Sequence, residues 1–228
     1  SGMVLTNLTL PAGSEPGRIA EDDAQNVYVV LRGTGMLARV ALASSRLDMY
    51  AAGCSAPRGI AYEPRANLVH VACAGGELVS FEPTRERPAR VVRIADDLRD
   101  VVFDGRHLYV TTFRRAAVYA LDDDGLVASR MVPAGVMRSA AQGYFSASVA
   151  WRAVPFPGGG VLVAHQRAAD RDLATPTTGT TAGATPTAGT TGASSGSYGG
   201  SGASSGGCGL PTVVESTLSI VHPGGVPA

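Results

Sequence analysis

The sequence predicts an all-β chain: a β-propeller of four-stranded antiparallel blades, with about four blade equivalents in its 228 residues. Three observations carry this. First, "PRGIAYEPRANLVHVACAGGELVSFEP", which begins at Pro57, lies without a gap on "PGRIAEDDAQNVYVVLRGTGMLARVAL", 41 positions earlier. Second, each copy holds short runs rich in Val, Leu, Ile and Tyr, bounded by Gly, Pro, Asn or Asp, whose backbone preferences favour turns. Third, no stretch of helical length carries amphipathic spacing. Four strands in about 40–45 residues, repeated, is the pattern of a propeller blade.

The elements follow in order. A first unit, residues 16–53, reads as the strands "RIAED", "NVYVVL", "GMLARVAL" and "RLDMYAAG". A second, 57–97, repeats them as "GIAYE", "NLVHVA", "GELVSFEP" and "ARVVRIADD". A third, 98–135, starts with Val101 placed 41 after Ile60, loses one residue in a turn, and reads "DVVFD", "HLYVTT", "AAVYALDD" and "LVASRMVPAG". A fourth, 149–224, is fainter: "AVPFP", with Val154 opposite Ile60, then "GVLVAH" and, after an interruption, "STLSIVHP". The N-terminal segment 3–13, "MVLTNLTLPAG", ends like the exit "SRMVPAG" of the third unit. It is expected to complete a last blade as its outer strand. Four blade equivalents fit part of a longer propeller of about seven or eight blades, two chains joined as a homodimer closing one ring, or a single four-bladed ring, in that order. An unclosed ring would leave edges that invite association.

Residues 175–209, "TPTTGTTAGATPTAGTTGASSGSYGGSGASSGGCG", consist almost wholly of Thr, Ser, Gly, Ala and Pro. Such a segment has too little apolar surface to offset its conformational entropy, so it is expected to be a flexible loop inserted between two strands of the fourth unit.

Composition narrows the function. Basic and acidic residues balance at 19 each, and all 19 basic residues are Arg. A global nucleic-acid footprint is therefore absent. No run of about 18 apolar residues is present, so no membrane span is expected. No basic stretch followed by an apolar one opens the chain, so no signal peptide is visible. The three cysteines, Cys54, Cys73 and Cys208, form no C-x-x-C or C-x-x-C-H pattern, which argues against zinc-finger and c-type haem sites. "DDDG" at Asp122–Gly125 lacks the EF-hand spacing and reads as a turn. "RGTGM" and "PGGGV" precede no helix, and no G-x-S-x-G elbow occurs. No catalytic residue, metal site or cofactor is assigned.

One face of a propeller carries the loops entering each first strand and the loops between second and third strands. Arg58, Arg99 and Arg152 share one aligned position there, and Arg18 lies one place later in its copy. Arg32, Arg114, Arg115 and Arg167 fall at the ends of second strands on the same face, as does His165. The candidate ligand-binding set is Arg18, Arg58, Arg99, Arg152, Arg114, His165 and Arg167. Guanidinium forks suit carboxylate and phosphate, so the expected partner is a small anionic ligand or an acidic protein surface. The competing reading pairs each Arg with an acid of a neighbouring blade, such as Glu21, Glu63, Asp100 or Asp104. Cys54 and Cys73 fall at adjacent strand ends, within reach of a disulfide, which belongs to an oxidising compartment.

"YVTT" at Tyr109–Thr112, with "GIAYEP" and "NLVHVA", resembles the YVTN and NHL repeat propellers over about residues 4–167 and 210–224. That resemblance implies a bacterial or archaeal protein that is periplasmic or extracellular. "SVAWRAVPFPGGGVLVAHQR" is similar to propeller parts that precede cytochrome c-like domains in some bacterial proteins. The leading expectation is a non-enzymatic binding or scaffold module. The alternatives are a propeller enzyme of the lactonase or lyase type, which would use funnel His and carboxylates, and a propeller partnering a haem domain.

Overall fold

The computed structural model describes residues 7–139, 143–170 and 214–223. Among them the chain is all β and folds into four four-stranded antiparallel sheets. Sheet 1 contains β1 (Pro16–Glu21), β2 (Asn26–Leu31), β3 (Met36–Ala41) and β4 (Arg46–Ala51). Sheet 2 contains β5 (Pro57–Glu63), β6 (Leu68–Cys73), β7 (Glu77–Phe81) and β8 (Arg90–Arg93). Sheet 3 contains β9 (Leu98–Phe103), β10 (Leu108–Thr112), β11 (Val118–Leu121) and β12 (Val127–Met131). In all three, each strand pairs with the next in sequence.

Sheet 4 departs from the expectation. It contains β13 (Val136–Ser139), β14 (Gly143–Pro155), β15 (Val161–Ala169) and β16 (Val214–Val221), in that order. Among the described residues its fourth strand is β13, which joins the first-strand side of the sheet and not the outer side, where the N-terminal segment was expected. Residues 7–13 form no strand; positions 3–6, the insertion 175–209 and Cys208 lie outside the described residues. β14 is 13 residues long because its first half pairs with β13 while its second half occupies the first-strand position of the repeat.

The core lies between the sheets, as three clusters. Tyr28, Val30 and Leu37 of sheet 1 meet Val69, Val71 and Phe81 of sheet 2. Ala72 and Leu78 of sheet 2 meet Val101, Leu108 and Leu121 of sheet 3. Tyr109 and Val118 of sheet 3 meet Ala153, Val161 and Val163 of sheet 4. Each of the Val, Leu and Phe side chains among them contributes about 1.5–3 kcal/mol on leaving water. This explains the composition of the second strands. β10 is buried at every position, since a central strand between two neighbouring sheets has no wet side, whereas β12 at the periphery is mostly exposed.

Strand pairing corrects the gapless repeat. Ile19 pairs with Val29, and Ile60 with Val71, a step of 41 on first strands and 42 on second strands. In third strands the step returns to 41: Leu37 and Leu78 face Val30 and Ala72. A one-residue slip exchanges the two faces of a strand. The partner of Tyr28 in the second unit is thus His70, not Val69, and in the third it is Tyr109.

Those three positions share a device at the turn between first and second strands. Tyr28 donates to Asp22 at 2.9 Å, Tyr109 donates to Asp104 at 3.1 Å, and His70 Nε2 lies 3.0 Å from Glu63. The same carboxylates accept turn backbone amides, from Ala24 and Asn26 in one case and from Arg106 and His107 in another. Asp104 also accepts the amide of Gly160, tying sheet 3 to sheet 4. Burial pushes the Asp22 and Asp104 carboxyls up, but these hydrogen bonds outweigh it and hold both below 3.8.

Candidate functional site

The inner strands β1, β5, β9 and β14 converge. Gly59 of β5 lies so close to β9 that a Cβ there would sit 2.6 Å from the Asp100 Cα and 2.7 Å from the Val101 nitrogen. Arg18 of β1 reaches past sheet 2 to Asp100 of β9, with Nε 2.9 Å and Nη2 3.3 Å from its two carboxylate oxygens. The same Nη2 donates to the Trp151 carbonyl of β14 at 3.1 Å. Asp100 also accepts the Ala153 amide at 2.9 Å, so one buried carboxylate joins three sheets.

A cavity of about 300 Å³ opens above this junction, lined by Pro16, Gly17, Arg18, Arg32, Arg58 and Arg99. Its four arginines differ in how they are compensated. Arg18 is paired with Asp100, and Arg58 with Asp97 at 2.7 Å. Among the described residues Arg32 has only Glu15 at 3.5 Å, both side chains being exposed. Arg99 lies within 4 Å of no carboxylate among the described residues; it donates to the Trp151 carbonyl at 3.3 Å and stands 5.2 Å over the Phe113 ring. Burial draws its proton affinity below that of a free guanidinium; the charge of Asp100 opposes this, and the like charges of Arg18, Arg58 and Arg32 add to it. A half-buried cation beside three others is poised to accept negative charge.

The remaining candidates stand elsewhere. Arg152 lies outside the cavity lining. β14 carries register shifts between Ala147, Ala150 and Arg152, so that Ala153, not Val154, packs back on the preceding sheet as Ile60 and Val101 do. The position two before it, matching Arg58 and Arg99, is then Trp151, which contributes a carbonyl instead of a guanidinium. His165 is fully buried within β15, with Nδ1 2.9 Å from the Gln166 carbonyl and Nε2 2.9 Å from the Ser219 hydroxyl. It is not at a strand end because β15 runs on to Ala169. Burial holds its pKa below 6.5, favouring the neutral ring. Arg167, in the same extension, pairs with Glu215 at 3.4 Å and donates to the Ala134 carbonyl. Arg114, 81% exposed, stands 3.5 Å from Asp97 and lines a second cavity with Asp96, Thr112 and Arg115.

Two participants escaped the candidate set. Arg32, at the end of a second strand, lines the cavity, and Phe113 supports both Arg58 and Arg99 from the hairpin after β10. Cys54 and Cys73 form a disulfide with Cα atoms 6.3 Å apart, linking the loop into β5 with the end of β6. Among the described residues no three His, Cys, Asp or Glu side chains converge with metal-ligand geometry, and no helix is long and apolar enough to cross a membrane.

No protein-family model matches the sequence, and no curated protein is similar to it. The structure is similar to virginiamycin B lyase from Staphylococcus aureus, with a TM-score of 0.54 at 11% identity, over 73% of this chain and 58% of that one. The selenomethionine-substituted form of that lyase aligns with the same TM-score at 10% identity, again over 73% of this chain and 58% of that one. Hydrazine synthase from Kuenenia stuttgartiensis aligns with a TM-score of 0.49 at 13% identity, over 74% of this chain and 60% of that one. The chain thus spans under two thirds of each of these structures, and its likeness to the lyase is one of β-propeller fold.

Proposed function

We propose that this chain is a non-enzymatic β-propeller binding module that holds an anionic group, the carboxylate or phosphate of a small ligand or an acidic side chain of a protein partner, in the pocket of Arg18, Arg32, Arg58 and Arg99. One observation carries the reading: Arg99 is half-buried, faces three other guanidiniums and has no carboxylate of its own among the described residues. Inter-blade ion pairing accounts for Arg18 and Arg58 but leaves Arg99 and Arg32 as the charge that recruits a ligand. A bidentate contact from a guanidinium to a carboxylate or phosphate is among the stronger polar interactions. The pocket chemistry is that of guanidinium groups, since the buried His165 does not line it. The disulfide supports an oxidising location, periplasmic or extracellular, in keeping with the YVTN and NHL resemblance.

Calorimetric titration with inorganic phosphate and with succinate tests this. The wild-type chain is expected to bind at least one of them, more weakly as salt rises. Arg99→Gln is expected to weaken binding by about 10-fold or more, the worth of a charge-assisted hydrogen bond at about 1.5–3 kcal/mol. Arg152→Gln, outside the pocket, should leave it unchanged. Equal losses in both variants, or no binding of either anion to wild type, would refute the assignment.

A further inference from the structure

Sheets 2 and 3 each have one face that packs back on the preceding sheet and one that packs forward on the following sheet. In sheet 2, Ile60, Val69, Val71 and Phe81 face back, while Ala72 and Leu78 face forward. Strand alternation extends this to the two end sheets. In sheet 1, Tyr28, Val30 and Leu37 face forward, so the alternate positions Ile19, Val27, Val29, Val40 and Met49 form its backward face. In sheet 4, Ala153, Val161 and Val163 face back, so Val154, Leu162, Leu218 and Ile220 form its forward face.

Both end faces are apolar, and no described residue packs a further core cluster against them. Ile19 is 64% exposed, whereas Ile60, its counterpart in the next unit, is 6% exposed. Leu218 is 66% exposed and Ile220 44%. Contiguous exposed apolar surface of this kind marks an interaction site. Among the described residues the edge strand β16 also has no outer neighbour in its sheet.

We infer that a second copy of this chain covers both faces. The forward face of sheet 4 in each copy packs on the backward face of sheet 1 in the other, closing a two-fold ring of eight sheets. Three observations favour a second copy. The two free faces are of opposite kind, the same pair that meets at all three interior interfaces, so the new contact continues an established packing mode. Two copies use every face once and reach eight sheets, within the range of about 4–8 blades that propellers adopt, while three copies exceed it. The chain carries a formal net charge of zero, so copies do not repel. This inference is independent of the anion pocket.

Light scattering on the full chain after size exclusion tests it. The expected mass is twice the 23.2 kDa of one chain. Ile19→Glu and Leu218→Glu each place a charge on one face at an exposed site and should each give monomers, with circular dichroism unchanged. Mixing the two variants should restore a dimer. In that mixture one interface combines two altered faces and the other combines two native ones. A back-to-back dimer through sheet 1 would ignore Leu218→Glu and would not be restored by mixing. A monomeric wild type, an assembly larger than a dimer, or a mixture that stays monomeric would each overturn the inference.

Discussion

Asp100→Asn should weaken the fold and strengthen anion binding at once, a pair of opposite effects that follows from the carboxylate's position. One Asp100 oxygen accepts Arg18 Nε; the other accepts both Arg18 Nη2 and the Ala153 amide. Either orientation of the substituted amide sets an NH2 group against a donor. Leaving a buried donor unsatisfied costs about 1–3 kcal/mol, and removing one partner of a fully buried ion pair costs about 3–5 kcal/mol. The Asp100 side chain is 5% exposed but Arg18 is 29% exposed and can regain water, so the cost falls below that of a fully buried pair, at about 2–3 kcal/mol. Urea unfolding monitored by circular dichroism would show it as a lower midpoint at unchanged slope. The pocket meanwhile gains one uncompensated positive charge. At roughly 6–8 Å and an effective dielectric of about 40, Coulomb's law gives about 1 kcal/mol for a bound monoanion, or about five-fold tighter binding. Weaker phosphate binding in Asp100→Asn, at preserved stability, would refute both the structural role of Asp100 and its restraint on Arg18.

Three further outcomes are expected. Cys54→Ser, or reduction of the wild type, should lower stability by about 3 kcal/mol by the entropy of closing a short loop, the two cysteines being 19 residues apart, read as a shift in the urea midpoint with and without reductant. Asp22 and Asp104 titrate below their unfolded value, so they contribute stability that is present above about pH 4 and lost as pH falls through their folded pKa values; Asp22→Asn should flatten the acid limb of a stability–pH curve. Gly59→Ala should destabilise by about 1–3 kcal/mol, because its Cβ would meet the β9 backbone and force sheets 2 and 3 apart, visible as a lower thermal midpoint.

Much of the fold was legible because blade formation is a local matter. The hydrophobic runs and the turn residues between them place β1 to β12 close to their observed positions, since antiparallel neighbours joined by tight turns need little beyond strand period and turn chemistry. The recurrence of Asp22, Glu63 and Asp104 at intervals of 41 was present in the sequence too. The gapless repeat hides its partners, because the second strands are stepped by 42 and so Tyr28 corresponds to His70 and not to Val69. The bulges in β14 were not legible, and they decide that Trp151 rather than Arg152 stands beside the pocket. Nor was the length of β15, which carries His165 into the interior.

The order of residues alone determined that this chain makes repeated small sheets and that arginines gather where first strands begin, since both follow from contacts within about 40 residues. Only the tertiary structure decided which arginines are left with uncompensated charge. That depends on whether a carboxylate such as Asp100 or Asp97 from a different sheet comes within hydrogen-bonding distance, and distances between sheets depend on packing, not on spacing along the chain.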